Sequence, residues 1–377
     1  MRDSAWIAER AREDGRLGID TEFLPEGRYR PMLCLIQVAV GGEVVILDPL
    51  IPQDFTPLAE VLADPAIEIV LHAGRQDVAI LRREWRTEIT GVFDTQVAAG
   101  FAGFSAQAGY NSLLGDVLGI RLSKSASFTR WDARPLTDEQ LRYAAEDVEH
   151  LMALADELKR RLDEKDRLQW ALEECRAIAD SSDERDPDEV WRRLPRALGL
   201  SAKERAVARE LAAWRERTAE REDRPVGAIV RDPTLVELAK RQPSEPSGVG
   251  TVRGIGSDVV RRRGADIVEA VRRGREAAPV VVEAAGKVAG DQADGPVVAL
   301  AEALVRQRAI EAGLAYELIA ARADLSAIVA CARRQAPEPD VRTLTGWRRE
   351  LVGIELLELL RGGLRLGVGA DGRVEIA

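Results

Sequence analysis

The chain has 377 residues, 46% hydrophobic and 31% charged, which is enough for two or three domains with packed cores and excludes a mainly disordered protein. No apolar run is long enough to cross a bilayer and no signal segment is evident, so we expect a cytoplasmic protein that does not enter a membrane. Three scattered cysteines and two histidines exclude a disulfide framework, a zinc site built from Cys-x-x-Cys and a His-rich metal centre. The net charge of −10, taken alone, argues against a nucleic-acid partner. Any chemistry must rest mainly on carboxylates.

The first 180 residues predict an α/β domain, because short β-branched runs alternate with amphipathic segments. Gly41-Gly42 separates two of these runs by two residues, which is typical of a β-hairpin, so the sheet should be mixed and not purely parallel. The predicted strands are Arg16–Phe23, Met32–Val40, Glu43–Asp48 and Ile67–His72. The predicted helices are Asp54–Ala63, Gln76–Trp85, Asn111–Leu118 and Thr137–Glu164.

A polar, acidic stretch, Ser181–Glu189, predicts a linker, and helical patterns prevail from there until the last few residues. Ser201-x-x-Glu204 is typical of a capping box, and Asp232-Pro233 is typical of an N-cap followed by the first helical residue. Ser257–Arg263 and Ala265–Arg273 predict a helix-turn-helix.

A stretch rich in Gly, Ala and Asp, Gly286–Pro296, predicts a second linker. Helices are expected over Val297–Gly313, Ala315–Arg334 and Gly346–Arg361. The two helical blocks are similar in size, which indicates duplication. We therefore expect three domains, over residues 1–180, 190–277 and 295–377.

Two carboxylates, Asp20 and Glu22, end the first predicted strand, and the two-residue period of a strand places both on one face. Such close carboxylates repel each other unless a cation neutralises them, and Mg²⁺ or Mn²⁺ prefers oxygen ligands of this kind. Solvated structural carboxylates would give the same pattern, so this pair alone is weak evidence.

Three more candidate groups lie on predicted helices. Asp77 is in a first helical turn, where it could join the acidic pair or simply interact with the helix dipole. Tyr143 and Asp147 are four residues apart, which puts them on one helix face, although a core tyrosine and an ion-paired acid would fit equally well. The combination of strand, turn and helix is more specific than any of these groups alone.

Three segments, Asp20-Thr21-Glu22-Phe23, His72-Ala73-x-x-Gln76-Asp77 and Tyr143-x-x-x-Asp147, resemble the exonuclease motifs of the DEDD superfamily, tyrosine subtype, and within it the ribonuclease D family. The basic helical block resembles an HRDC domain, and the last block resembles one more faintly. The resemblance implies an α/β RNase H-like exonuclease domain, with a mixed sheet flanked by helices, followed by two all-α HRDC-type domains.

The same resemblance implies a 3′–5′ exoribonuclease that releases nucleoside 5′-monophosphates by two-metal-ion hydrolysis. Asp20, Glu22, Asp77 and Asp147 would hold two Mg²⁺ or Mn²⁺ ions, and Tyr143 would orient the attacking water. The expected partner is RNA with a free 3′ end, in particular tRNA precursors, and no obligate protein partner is evident. An exonuclease acting on DNA and a non-catalytic nucleic-acid-binding scaffold are the alternatives.

Charge is distributed unevenly: residues 1–180 hold 21 basic and 32 acidic side chains, whereas residues 191–280 hold 20 and 13. The basic segment is therefore expected to attract RNA, although its arginines could instead pair with nearby acids. Phe23 should point away from the acidic pair into the core, and His72 could order its turn without touching the substrate. The candidate substrate-binding residues are Phe23, Gln37, His72, Gln76, Lys124, Arg261, Arg262 and Arg263.

Overall fold

The structure is a computed structural model that describes residues 2–25, 27–122, 130–281, 294–370, 372 and 374–377. The first part of the chain forms a five-stranded sheet in the order β3-β2-β1-β4-β5. Its strands are β1 (Arg16–Leu24), β2 (Met32–Val40), β3 (Glu43–Leu47), β4 (Glu68–Leu71) and β5 (Val92–Asp94).

The sheet is mixed, as predicted. Strands β1, β2 and β3 pair antiparallel, whereas β1, β4 and β5 pair parallel. Gly41 and Gly42 form the predicted hairpin turn, and their φ angles of +61° and +74° lie in the region that favours glycine. The short strand β5 was not predicted, because three residues are too few to show an alternating pattern.

Eight α-helices surround this sheet in the described part of the domain. They are α1 (Ser4–Asp14), α2 (Thr56–Ala63), α3 (Arg75–Trp85), α4 (Thr95–Ala102), α5 (Tyr110–Leu113), α6 (Asp138–Glu149), α7 (Leu151–Asp163) and α8 (Leu168–Ala179), and a π-helical turn, Leu114–Leu118, extends α5.

The single helix predicted over Thr137–Glu164 is wrong, because the chain leaves the helical conformation at His150, where φ is −107° and ψ is 4°. The apolar stripe continues across the break, since Val148 before it and Leu151 after it are both buried. Periodicity therefore could not reveal the break. The Thr137 cap is a full capping box with Gln140.

The two faces of the sheet bury different helices. Ile7 of α1, Leu58 of α2 and Leu81 of α3 belong to the core on one face. Val148 and Leu151, at the junction of α6 and α7, belong to the core on the other face. The residues at the carboxyl ends of β1 and β4 therefore lie between α3 and α6.

The first helical block contains the 3₁₀ turns Val190–Arg193 and Ala197–Gly199, then α9 (Ala202–Arg221), α10 (Val226–Ile229), α11 (Asp232–Arg241), α12 (Pro246–Val249) and α13 (Ser257–Glu276). The capping box at Ser201 is confirmed. Asp232 is the first residue of α11 and Arg231 is its N-cap, one residue earlier than predicted.

The predicted helix-turn-helix over residues 257–273 is wrong, because α13 is continuous. Gly264, which suggested a turn, lies inside this helix. A Cβ atom at this position would lie 3.1 Å from the Cβ of Pro246, so glycine allows α12 to pack closely on α13. The glycine therefore serves helix packing and not chain reversal.

The second helical block begins with α14 (Asp294–Ala312), α15 (Tyr316–Ile319) and α16 (Arg322–Arg333). These have 19, 4 and 12 residues, close to the 20, 4 and 10 of α9, α10 and α11, which supports the predicted duplication. The helix predicted over Ala315–Arg334 is interrupted by extended backbone at Ala320 and Ala321. Of the predicted linker Gly286–Pro296, residues 286–293 lie outside the described residues, and the rest begins α14.

The block continues with the 3₁₀ turn Arg342–Leu344, α17 (Gly346–Arg348), a π-helical turn (Arg349–Gly353), α18 (Ile354–Arg361) and the antiparallel strands β6 (Leu366–Val368) and β7 (Val374–Ile376). Over the described ranges, no helix combines the length and the apolar composition that crossing a membrane requires.

The second helical block shares a hydrophobic core with the sheet domain. Trp347 is 2% exposed, and its ring centroid lies 5.0 Å from that of Phe101 in α4 and 5.2 Å from that of Trp170 in α8. Its indole N–H donates to Glu174, which also accepts two hydrogen bonds from Arg348. The end of the chain is thus packed against the sheet domain.

The first helical block contacts a different part of the sheet domain, the segment between β1 and β2. The Tyr29 hydroxyl donates to Glu216 at 3.0 Å, and the Tyr29 N–H donates to Asp223 at 3.2 Å. Arg30 pairs with Glu220. These contacts are mostly polar and exposed, in contrast to the buried contact of the second block.

Candidate active site

Strand β1 presents Asp20 and Glu22 on the face covered by α6 and α7. The strand alternation places Gly18 on the same face, and a Cβ atom at Gly18 would lie 3.3 Å from the side chains of Leu151 and Met152 in α7. Thr21 points to the opposite face and is buried. A register shift between Glu22 and Phe23 then ends the regular pairing with β2.

Asp77 reaches the site from the first turn of α3, where it is buried. Its Oδ1 accepts a hydrogen bond from the Thr21 hydroxyl, so the acid of α3 is tied to the strand that carries Asp20 and Glu22. The sequence predicted this approach from the strand-to-helix turn, although it did not predict the role of Thr21.

Asp94 holds that turn in place, a role that the sequence reasoning missed. Its carboxylate accepts hydrogen bonds from the N–H groups of Ala73 and Gly74 at 3.2 and 2.8 Å, and it also caps α4. Ala73 has a φ of 55°, which is uncommon for a residue other than glycine. The available signal was the segment Asp94-Thr95-Gln96, typical of an N-cap at a strand end.

Helix α6 contributes Tyr143 and Asp147 from one face, as their spacing predicted. Both line a cavity of about 280 Å³, together with Tyr110, Asn111 and Glu146. The Tyr143 ring lies 6.0 Å, centroid to centroid, from that of Trp131. The cavity gives the acidic cluster an opening beside these two residues.

An ion pair fixes the loop that carries Trp131. The Arg134 guanidinium donates to Asp48, the first residue after β3. It also donates to the carbonyl oxygens of Trp131 and Cys34. The pKa of Asp48 is lowered mainly by the hydrogen bond from Arg134. Asp48 thereby holds Trp131 beside Tyr143.

The pKa values of the four carboxylates show that their charges interact. Burial raises the pKa of Asp20 well above its usual range, and the charges of Asp77, Asp147 and Glu22 raise it further. Burial, followed by the charges of Asp147 and Asp77, raises the pKa of Glu22 to about 8. Burial raises the pKa of Asp147 to about 7 and also raises that of Asp77. The sheet and two helices thus concentrate negative charge in one small volume.

Oxygen donors under mutual repulsion suit hard divalent cations, so the chemistry of the donor set fits Mg²⁺ or Mn²⁺. Within the described ranges, however, no three His, Cys, Asp or Glu side chains meet the geometric requirements for holding one ion as they stand. Asp77 gives one reason, because one of its oxygens is engaged by Thr21.

The tentative substrate-binding residues near the site have different surroundings. Phe23 packs against the core on the face opposite to Asp20, as expected. His72 Nδ1 lies 2.9 Å from the Thr95 hydroxyl and its ring lies 5.5 Å from that of Tyr110, so it orders the turn after β4. Burial lowers the pKa of His72. Gln76 is exposed on α3.

Two further candidates are Gln37 and Lys124. Gln37 is fully buried, and both polar atoms of its side chain lack a hydrogen-bond partner among the described residues. Lys124 lies outside the described residues. Tyr110, which the sequence reasoning did not single out, is a second tyrosine close to the cluster: its pKa is raised mainly by burial and further by the charges of Asp147 and Asp20.

The basic run in α13 is largely paired with acids. Arg261 and Arg262 are exposed and both bind Asp258. Arg263 is 7% exposed and makes a bidentate pair with Glu222 at 3.1 and 2.8 Å, so the expectation that it contacts substrate is corrected. Three consecutive arginines on a helix point in different directions, and this one faces α9.

Comparisons with known proteins agree with this architecture. Residues 3–163 match the family model described as 3′–5′ exonuclease, and residues 204–271 match that of the HRDC domain. Relatives named ribonuclease D include one from Gluconacetobacter diazotrophicus, 36% identical over 97% of this chain and 93% of its own length, and one from Granulibacter bethesdensis, 35% identical over 98% and 93%.

A solved structure is similar over nearly the whole chain. Escherichia coli RNase D, described as an exoribonuclease involved in structured RNA processing, superposes with a TM-score of 0.83 at 28% identity and covers 95% of this chain and 96% of its own. The predicted fold class is thereby confirmed. The chain belongs to the ribonuclease D family and is a nuclease with a 3′–5′ exonuclease domain.

Proposed function

We propose that this chain removes nucleoside 5′-monophosphates one at a time from the 3′ ends of RNA. In this proposal Asp20, Glu22, Asp77 and Asp147 hold two divalent cations, Mg²⁺ or Mn²⁺. The observation that carries it is the meeting of four acids from three separate elements, with interacting charges, beside the cavity lined by Tyr143. Four carboxylates balance two dications in formal charge.

When bound, the cations would acidify the attacking water and stabilise charge on the leaving 3′-oxygen. The protein's own task is to present deprotonated carboxylates. Asp147 and Glu22, with pKa values of about 7 and 8, must lose their protons for this, so protons and cations compete for the site. We therefore expect activity at limiting cation concentration to rise with pH across this range.

Tyr143 would orient the attacking water and not deprotonate it. Burial and the neighbouring charges of Asp147, Glu22 and Asp20 raise its pKa above the usual value, so its hydroxyl stays protonated. A protonated hydroxyl can donate one hydrogen bond and accept another, which is what orienting a water requires. Trp131 and the Asp48–Arg134 pair support the position of its ring.

The cavity beside Tyr143 favours a single terminal nucleotide as the group that enters. Its volume of about 280 Å³ lies near the lower end of the range for small-ligand sites. Such a site acts on unpaired 3′ ends and selects among structured RNAs by which ends can reach it. We propose tRNA precursors as the physiological substrates, supported by the family and by the description of the E. coli relative.

The test uses full-length protein with RNA and DNA of identical sequence, labelled at the 5′ end, and a tRNA precursor with an unpaired 3′ extension. We expect the labelled RNA to give a ladder of products shortened from the 3′ side, with release of nucleoside 5′-monophosphates. Digestion should depend on Mg²⁺ or Mn²⁺ and should be faster on RNA than on DNA. Equal or faster digestion of DNA would favour the DNA alternative.

The site assignment is tested with amide replacements on one helix. Asp147→Asn should abolish digestion, whereas Glu149→Gln, which makes the same charge change at an exposed position of α6, should leave it intact. Full activity of Asp147→Asn would refute the assignment.

A further inference from the structure

The side chain of Gln37 is the most unusual buried group near the acidic cluster. It is 0% exposed, and neither its Nε2 nor its Oε1 has a hydrogen-bond partner among the described residues. Leaving buried polar atoms unpaired destabilises the folded state. Leucine or methionine would fill this position without that cost.

The register of the sheet places Gln37 directly beside Asp20. In the antiparallel ladder, Gln37 of β2 is opposite Asp20 of β1 on one side and Ile46 of β3 on the other. Side chains of directly opposite residues share a face, with Cβ atoms about 4.5–5.5 Å apart. The carboxamide therefore lies on the α6 side of the sheet, next to the Asp20 carboxylate.

Its other neighbours on that face are apolar. Leu35 and Ala39, two residues away along β2, are buried. Leu35 packs in one cluster with Ala144 and Tyr143 of α6, which covers this part of the sheet. Of the two residues directly opposite Gln37, Asp20 and Ile46, Asp20 is the one whose side chain can accept a hydrogen bond.

We propose that Gln37 is a positioning residue for the cation site, whose amide N–H donates to the Asp20 carboxylate and fixes its orientation when that carboxylate holds a cation. This inference rests on the proposed function, because it requires Asp20 to be a ligand. Groups that hydrogen-bond a ligating carboxylate typically alter cation affinity or activity about 10–100-fold when they are removed.

The test follows cation binding by thermal unfolding, without substrate. Full-length wild type and Gln37→Leu are stripped with EDTA and titrated with Mn²⁺, and the Mn²⁺ concentration giving half of the maximal rise in Tm is measured. We expect Gln37→Leu without Mn²⁺ to be as stable as wild type or more stable, because the unpaired amide is gone. Half-saturation should require about 10–100 times more Mn²⁺.

A matched control is Thr90→Val, which also removes a buried hydroxyl without a partner among the described residues. Thr90 precedes β5 and its N–H donates to Leu62, at the opposite end of the sheet from Asp94. This variant should keep the wild-type Mn²⁺ response. Gln37→Met preserves length and shape without the amide and should behave like Gln37→Leu; a wild-type response from it would overturn the inference.

Asp20→Asn distinguishes failure of the proposed function from failure of the role proposed for Gln37. If Asp20→Asn retains the wild-type Mn²⁺ response, the proposed function itself is wrong. If Asp20→Asn loses the response while Gln37→Leu stays within twofold of wild type, the role of Gln37 alone is refuted. In steady-state digestion at limiting Mn²⁺, Gln37→Leu should lower kcat and leave the KM for RNA unchanged.

Discussion

Replacing Glu22 with glutamine should make the free energy of unfolding of the cation-free protein fall less as pH rises. The pKa of Glu22 is about 8 in the folded state, against an ordinary value of 4.5 that applies to the unfolded chain. Between these values the folded state binds more protons than the unfolded state, so the free energy of unfolding falls as pH rises. The difference between the two pKa values corresponds to about 5 kcal/mol once both states are deprotonated.

The assay is urea unfolding in EDTA from about pH 5 to pH 9, followed by circular dichroism. Wild type should lose stability steadily above pH 5 and regain it when Mg²⁺ is added at the alkaline end. Glu22→Gln should lose about 3–5 kcal/mol less over the same range, because its amide does not ionise. It should also regain less with Mg²⁺.

The exposed Glu149→Gln serves as the control and should follow wild type throughout. Parallel curves for wild type and Glu22→Gln in EDTA would refute the reasoning, since the glutamate would then ionise equally easily in both states. A parallel response to Mg²⁺ would in addition remove Glu22 from the proposed ligands.

Four further outcomes are expected. Tyr143→Phe should lower the rate of single-turnover cleavage about 100-fold, while the Mn²⁺ concentration at half-saturation stays within twofold of wild type. A tenfold higher half-saturating Mn²⁺ concentration would contradict an orienting role. Trp347→Ala should cost about 3–5 kcal/mol in urea unfolding, because the ring packs on Phe101 and Trp170, and a loss below about 1 kcal/mol would contradict that packing. Arg263→Ala should lower Tm, since it leaves Glu222 without its bidentate partner, whereas an unchanged Tm would argue that the pair is dispensable. Arg261→Ala should leave Tm unchanged. If this arginine binds phosphate, the plot of log RNA-binding constant against log salt concentration should become less steep, its slope changing by about one.

The strands and the two pairs of site residues on shared faces could be predicted because their signals are local. Alternation marked β1 to β4, the two glycines marked the hairpin, and strand and helix spacing placed Asp20 with Glu22 and Tyr143 with Asp147 on shared faces. The meeting of these two pairs is a property of the tertiary fold. For that the sequence offered only the resemblance to a family.

The errors arose where packing outweighs local pattern. The break at His150 is hidden because the apolar stripe continues through it, and Gly264 suggested a turn although it makes room for Pro246. The arginine run shows the same limit for charge, because composition counts a cation without identifying its partner. Arg263 is the clearest case, since its guanidinium forms an ion pair with Glu222 inside the molecule.

The position of Trp347 has a consequence for synthesis of the chain on the ribosome. The four acids and Tyr143 have all been made once α6 has emerged, but the apolar surface around Phe101 and Trp170 stays uncovered until Trp347 has been made. The nascent protein therefore exposes this apolar surface from the synthesis of Trp170 until that of Trp347. Chaperones that bind exposed apolar surface would meet this surface, and a product terminated before Trp347 would keep it exposed and be prone to aggregate.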